Sequence, residues 1–320
     1  MTTHPAYDPG GLSAPAVNTP VLVVGESLVD IVQRPDGSTQ RHPGGSPANV
    51  ALGLARLGHA VRFATRIGTD DDGDSVLNLL QRNGIRLTEG SVVEAATSTA
   101  TAVLDEHGAA TYVFDLVWDL PPVEAGAGHT HTGSIAANLA PGAARVHEVF
   151  AAARVAGTTS YDPNLRPRII ASADVERPGV EQLVAGSDVV KASDEDLAWL
   201  YPGESPQDVA GRWARSGPAL VVLTRGAQGA LALLASDPDA HITVAPRPVT
   251  VVDTVGAGDA FMSGLLSALL DLGLLGGPDQ RVALHAASAD EIRVALTRAV
   301  RTSSITCERA GADPPTRDEL

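Results

Sequence analysis

Cysteine occurs once, at Cys307, and aromatic residues make up only 3% of the 320-residue chain. A single cysteine forms no internal disulfide and supplies no cysteine-rich metal cluster, which suits a reducing compartment. It reads as a small core or helix-end residue. So few aromatic rings leave little from which to build the stacking platforms of single-strand nucleic-acid binders. Positive charge is also scarce: 23 Lys and Arg against 38 Asp and Glu give a formal net charge of −15, whereas affinity for a polyanion comes from a field of cations over its phosphates. No uninterrupted apolar run reaches membrane-spanning length. The expectation is a cytoplasmic protein without nucleic acid or membrane among its partners, with a small molecule as ligand and any phosphate site local.

The opening residues 1–19, rich in Pro, Gly, Thr and Ala and without the basic-then-apolar order of a secretory signal, read as a disordered arm. Residues 20–320 then read as one domain, since no linker divides them and no repeat recurs at a fixed period. Short β-branched runs at 21–25, 61–65, 158–162, 188–191 and 219–224 alternate with helical stretches at 47–57, 74–83, 142–156, 206–215, 259–272 and 288–304. That alternation predicts an α/β doubly wound layer, a mainly parallel sheet flanked by helices. Two segments break the rhythm, near 28–43 with its Pro-Asp-Gly turn and near 97–116, where Gly108 supplies a hairpin turn. They form either a small separate β lid or ordinary edge strands of the main sheet. The nine histidines contain no H-x-x-x-H pair, and His129 with His131 read as strand-edge surface rather than a zinc site.

Two familiar phosphate motifs are absent. There is no G-x-x-x-x-G-K-[ST] loop, and the glycines of the most informative segment miss the third Gly of G-x-G-x-x-G, which leaves a dinucleotide-dependent oxidoreductase poorly supported. That segment is Asp253-Thr254-Val255-Gly256-Ala257-Gly258-Asp259, followed by an apolar helix. Bare backbone before a helix start aims several N–H groups at one concavity, and the helix dipole adds to an anion site. Asp259 in the first turn then places a proton acceptor beside that site, the pairing needed to deprotonate a hydroxyl and stabilise the phosphoryl group it attacks. The plainer reading is a glycine loop whose Asp is a cap. A second segment, Gly44-Gly45-Ser46-Pro47-Ala48-Asn49 through Gly58, is a well-bounded helix: Ser46 suits the cap, Pro47 the first position and Gly58 a left-handed end. Its glycine pair admits close backbone approach to a ligand, and Asn49 offers donors and an acceptor from the first turn, unless it faces solvent.

Together, GGSPANVALGLARLG and DTVGAGDAFMSGLL closely resemble the N-terminal and C-terminal signatures of the ribokinase-like (PfkB) carbohydrate kinases. GESLVD (25–30), DPNLRPR (162–168), KASDEDLAWL (191–200), TRGAQGA (224–230) and AGADPPT (310–316) follow in the family's order, so the resemblance spans roughly residues 21–316. It implies an ATP-dependent kinase with Mg2+, in which Gly256, Ala257 and Gly258 form the anion hole and Asp259 is the base. Asp30, Gly44, Gly45 and Asn49 match positions that bind sugar hydroxyls, Asp30 otherwise being a surface acid after a strand. Asn164 and Arg166 border sugar and phosphate, unless Arg166 makes a structural salt bridge.

On the nucleotide side the resemblance assigns Ser193, Thr224, Gly226 and Gly229, with Arg225 either a contact or a solvated loop charge. Asp196 stands where the family has Glu, organising water around Mg2+, which shortens the reach; equally, Ser193 and its acids read as a helix start. Asp253 is the side chain nearest to a family site for a monovalent cation such as K+. The GESLVD and DPNLRP blocks are most similar to fructokinases, implying fructose, with 2-keto-3-deoxygluconate or another sugar or nucleoside as the alternative acceptor. A homodimer through the lid is a further expectation. A non-catalytic sugar- or nucleotide-binding regulator is the reading of another class, disfavoured because such a protein has no need of the base.

Overall fold

The computed structural model describes residues 19–106, 109–126 and 128–320. Most of the expected arm, residues 1–18, and the turn glycine Gly108 lie outside them. The described chain starts with β1 (Val21–Val24), leaves the layer as the antiparallel pair β2 (Leu28–Gln33) and β3 (Thr39–Gly44), and returns through α1 (Ser46–Arg56) to β4 (Val61–Ala64). Next come β5 (Ile67–Gly68), α2 (Asp71–Arg82), β6 (Arg86–Leu87) and β7 (Val92–Val93), then a second antiparallel pair, β8 (Thr99–Leu104) and β9 (Ala110–Asp115). The regular alternation resumes with β10 (His129–Gly133), α3 (Gly142–Ala156), β11 (Thr158–Asp162), α4 (Ala173–Ala185), β12 (Val189–Ser193), α5 (Asp194–Leu200), α6 (Pro206–Ala214) and β13 (Leu220–Thr224). A meander through β14 (Ala230–Leu234) and β15 (Asp237–Val244) leads to α7 (Ala257–Asp271), α8 (Pro278–His285) and α9 (Ala289–Cys307).

The main sheet has the order β15-β14-β13-β12-β11-β10-β1-β4-β6, parallel from β13 through β6 and antiparallel at the β14 and β15 edge. Strands β1 and β13 read as nearly continuous apolar runs because helices cover both faces of the sheet. Residues 28–44 and 99–115 pair with each other and not with that sheet, in the order β3-β2-β8-β9, while β5 and β7 form a small parallel pair. Pro43 sits in β3, an edge strand, where its missing N–H breaks no ladder bond.

His129 and His131 correct the expectation of a strand-edge surface. They lie on β10, in the middle of the sheet between β11 and β1, each 1% exposed. His129 is bonded through its two ring nitrogens to Thr158 Oγ1 at 2.9 Å and Ser160 Oγ at 2.8 Å, and His131 Nδ1 shares Ser160 Oγ at 2.9 Å. Hydroxyls from β11 therefore satisfy polar side chains that would otherwise be costly to bury.

Helix α7 is buried almost along its whole length and packs against α9 and α1. The contact with α1 is close: a Cβ on Gly53 would lie 2.2 Å from Ser263 Oγ. Only a glycine allows that approach, and it brings the first turns of α1 and α7 together.

Candidate active site

The helix starts meet at Asp259. Its Oδ1 accepts from Ser46 Oγ at 2.7 Å and its Oδ2 from Asn49 Nδ2 at 2.8 Å, and it is 7% exposed. Ser46 therefore does not cap α1. The N-cap is Gly45, at φ 100 and without a side-chain cap bond, because the Ser46 hydroxyl is committed across the interface. Asn49 likewise faces Asp259 rather than solvent, leaving its carbonyl oxygen as the group free to face a ligand.

Around this carboxylate is a cavity of about 740 Å³ at the carboxyl ends of the parallel strands, the usual ligand position in open α/β sheets. Glu26 follows β1, Ser134 follows β10, Asn164 and Arg166 follow β11, Ser193 ends β12 and Thr224 ends β13, and all six line it. Tyr112 and Phe114 of β9 line it from the second sheet, their rings stacked at 5.9 Å. Arg168 reaches across from the main layer, 5.0 Å above the Tyr112 ring.

At the glycine turn, Gly256 takes a left-handed φ of 73 as N-cap of α7 and packs so tightly on the chain at Ala312 that a Cβ would meet its methyl at 2.5 Å. Gly256 and Gly258 line the cavity; Ala257, between them, does not. The first-turn N–H groups of a helix have no intrahelical partner and face outwards along its axis. Asp253 stands outside the cavity lining. Its carboxylate accepts from the N–H groups of Val255 at 3.0 Å and Gly311 at 2.9 Å, which hold it below the usual carboxylate range and clamp the turn to the C-terminal loop.

Asp30 lies in β2 and lines the cavity, held above the usual range by burial. His42 stands directly opposite it in β3, and Gly44, paired with Leu28, is its diagonal neighbour, close enough that a Cβ there would be 2.2 Å from Asp30 Oδ2. Gly45 lines the cavity itself. Arg166 donates to Asn164 Oδ1 at 2.6 Å and to two carbonyls of its own loop, and among the described residues it makes no salt bridge; Asn164 has a positive φ of 38. Asp196 accepts from Leu165 N at 2.8 Å, Ser193 N at 2.9 Å and Ser193 Oγ at 2.7 Å. The helix-start reading of Ser193 and Asp196 is thus realised as a reciprocal capping box. Gly226 and Gly229 shape the turn after β13, with φ of 48 and 80, and lie outside the cavity lining.

Ser46, Glu26 and Lys191 line the cavity, and Asp162 backs Lys191, without a site role assigned from sequence. Ser46 was read as a cap. Glu26, 5% exposed, accepts from Ala136 N at 3.1 Å and is pushed up to about 7 by burial. Lys191 and Asp162 form a buried ion pair at 2.9 Å. Both residues fall inside recognisable motifs, DPNLR and KASDED, but nothing in spacing shows that β11 and β12 are neighbours.

A carboxylate at a helix start thus stands beside a glycine turn, in one cavity with Asp30, Gly45 and Asn49. The sequence pattern of the pfkB family carbohydrate kinases matches residues 18–319. The chain belongs to that family. Membership makes it a phosphotransferase with an alcohol group as acceptor. Fructokinase from Klebsiella pneumoniae is 34% identical over 281 residues, 84% of this chain and 89% of the relative, and fructokinase from Salmonella typhimurium 33% identical over 81% and 87%. A double mutant of Vibrio cholerae fructokinase, solved with fructose, ADP and potassium, superposes with a TM-score of 0.77 at 27% identity, covering 94% of this chain and 95% of its own. Aminoimidazole riboside kinase from Salmonella enterica, with its riboside and an ATP analogue, gives 0.75 at 26% identity, covering 92% and 95%. The kinase shares with them the large, mostly parallel sheet flanked by helices. Among the described residues no helix is long and apolar enough to cross a membrane.

Proposed function

We propose that this kinase transfers the γ-phosphate of ATP to a hydroxyl of fructose, with Asp259 as the base. The observation that carries this is Asp259 itself: a carboxylate at a helix start, fixed through both oxygens by Ser46 and Asn49, beside Gly256 and Gly258 and within one cavity with Asp30. The acceptor hydroxyl gives its proton to Asp259 as its oxygen bonds to the γ-phosphorus and ADP leaves. The backbone N–H groups of the glycine turn stabilise the charge on the transferring group. Asp30, Gly45 and the Asn49 carbonyl read neutral sugar hydroxyls from the other side, with Gly44 making room for Asp30. Asn164 and Arg166 border both substrates, while Ser193, Thr224 and the Gly226–Gly229 turn receive the nucleotide.

The residues fit a nucleotide whose charge is shared with a metal, since the protein is acidic and the glycine turn itself offers backbone dipoles, with a single lysine against it. Mg2+ would supply that neutralisation, with the cavity carboxylates Glu195 and Asp196 as the residues that would hold it, although the oxygens of Asp196 already accept from the chain. Asp253 serves a K+ site indirectly, by shaping the backbone whose carbonyls would face the ion. The β3-β2-β8-β9 sheet acts as a lid, with Tyr112 and Phe114 on the cavity. Exposed Val113 and Tyr112 on its outer strand support pairing of two copies through their lids.

Fructose is favoured over 2-keto-3-deoxygluconate because Arg166, a cavity arginine on the Asp30 side, donates to its own loop, and a carboxylated acceptor needs a dedicated cation. Steady-state assays of ATP consumption with fructose, 2-keto-3-deoxygluconate and aminoimidazole riboside test this. The highest kcat/KM is expected for fructose; a keto-acid preference that vanishes in Arg166→Ala would replace the acceptor and leave the kinase reading intact.

A further inference from the structure

We propose that Lys191, held by Asp162, contacts the γ-phosphoryl group of the nucleotide from beneath the Gly256–Asp259 turn, an inference that rests on the proposed phosphotransfer at this turn. Lys191 is the middle residue of β12 and is 3% exposed, yet it lines the cavity. Its Nζ donates to Asp162 Oδ2 at 2.9 Å, and among the described residues no other acceptor takes a hydrogen bond from it. An ammonium carries three donors. The position of the unused ones is fixed by Gly258, where an added Cβ would lie 3.3 Å from Nζ. The charge thus sits directly against the bare backbone of the anion-binding turn.

A buried ion pair contributes little to stability unless every lone pair and proton finds a partner. This pair does not meet that condition, because Asp162 Oδ1 has none and is fully enclosed. Burial opposes the lysine charge, but Asp162, Asp196 and Asp259 outweigh it and hold the ammonium above the ordinary lysine range, so it stays charged during turnover. Of the other cavity cations, Arg166 gives one guanidinium nitrogen to its own loop and Arg168 lies over Tyr112 of the second sheet. Lys191 is the cation standing at the turn, and an anion there completes its unused donors. Because ADP lacks the γ-phosphoryl group, the contact distinguishes ATP from ADP.

Calorimetric titration of ATP and ADP, each with Mg2+, into wild type, Lys191→Met, Asp162→Asn and the Asp162→Asn/Lys191→Met double variant tests this. In Lys191→Met, ATP affinity is expected to fall about 10- to 100-fold, the loss of one charge-assisted hydrogen bond, with ADP affinity within about 3-fold of wild type. The double variant leaves no unpaired buried charge, so its thermal stability recovers towards wild type while kcat and the ATP preference stay low. Equal loss of ATP and ADP affinity, or recovery of kcat in the double variant, would show that Lys191 only balances Asp162. Should Lys191→Met not fold, the double variant alone decides by the same readouts. A wild type that transfers no phosphate to any sugar defeats the proposed function instead, a result distinct from either variant outcome.

Discussion

Asp259 differs from an exposed acid in having no rotational freedom left: Ser46 and Asn49 hold one oxygen each. Replacing it with Asn keeps the shape and removes the proton acceptor, so kcat is expected to drop by at least about 10²-fold while ATP binding persists. Near-normal kcat in a folded Asp259→Asn protein would remove the base assignment. Ser46→Ala tests a subtler point. The helix keeps its start, since Ser46 makes no cap bond, but one oxygen of the proposed base loses its holder. A fall of about 10-fold in kcat with an unchanged KM for ATP is expected, because orientation of the base matters only as the hydroxyl is attacked. A change in KM alone would assign Ser46 to binding. The sequence motifs placed Asp259 and Asn49 in the site, but not their mutual contact: residues 210 positions apart meet only once two helices pack.

At the scale of elements, the segments that announced themselves were those whose local pattern and burial agree. Apolar runs at 21–24 and 220–224 lie in the buried layer, and the helix from Ala257 follows its glycines as expected. Others hid behind their composition. Strand β10, His-Thr-His-Thr-Gly, is polar in sequence and fully buried, because its hydroxyls and imidazoles find partners on β11. Helix α4 carries Pro178 in its interior, which reads as a helix break, and α8 is short and mostly exposed. The pairing of residues 28–44 with 99–115 depends on a parallel β2–β8 contact across some seventy residues, beyond any local signal. The turn into α1 is where element and site meet. Gly45, at φ 100, would place a Cβ 2.7 Å from Glu26 O. Gly45→Ala is therefore expected to cost about 1–3 kcal/mol of stability and to raise the KM for sugar, since the strain is relieved only by moving α1 away from β1. Differential scanning calorimetry with sugar kinetics checks both. An alanine variant with unchanged Tm and KM would mean that the turn relaxes freely.

Across the whole molecule, the buried titratable groups oppose one another. Among the described residues, burial lowers His59 and His129 to about 4 and His131 to about 3, from an ordinary 6.5. The unfolded chain takes up protons near pH 6.5 that the native histidines refuse, so their contribution is complete above that pH and is lost as the pH falls towards 4. Glu26, raised by burial from 4.5 to about 7, and Asp162, raised from 3.8 to about 6, run the other way. The native state holds their protons where the unfolded chain has released them, so their contribution is present at low pH and lost as the pH rises through 6 and 7. Between about pH 6 and 4.5 three histidines outweigh Glu26 and Asp162 by one proton, and stability should fall by at most about 1.4 kcal/mol per unit of acidification, less where Asp30, also raised by burial, keeps its proton in the native state. Below about 4.5 Glu26 ceases to oppose. There Asp253 and Glu319, held low first by backbone N–H donors, begin to lose their contribution as they are protonated, and the fall steepens. Urea denaturation at pH 6.0 and 5.0 measures the first slope, and His129→Gln removes one of the three histidines. The variant is expected to be less stable than wild type at both pH values, yet with a slope near zero between them. Identical slopes in the two proteins would mean that His129 is protonated in the native state, and the polar ladder from β10 to β11 would then need an acceptor other than a neutral imidazole.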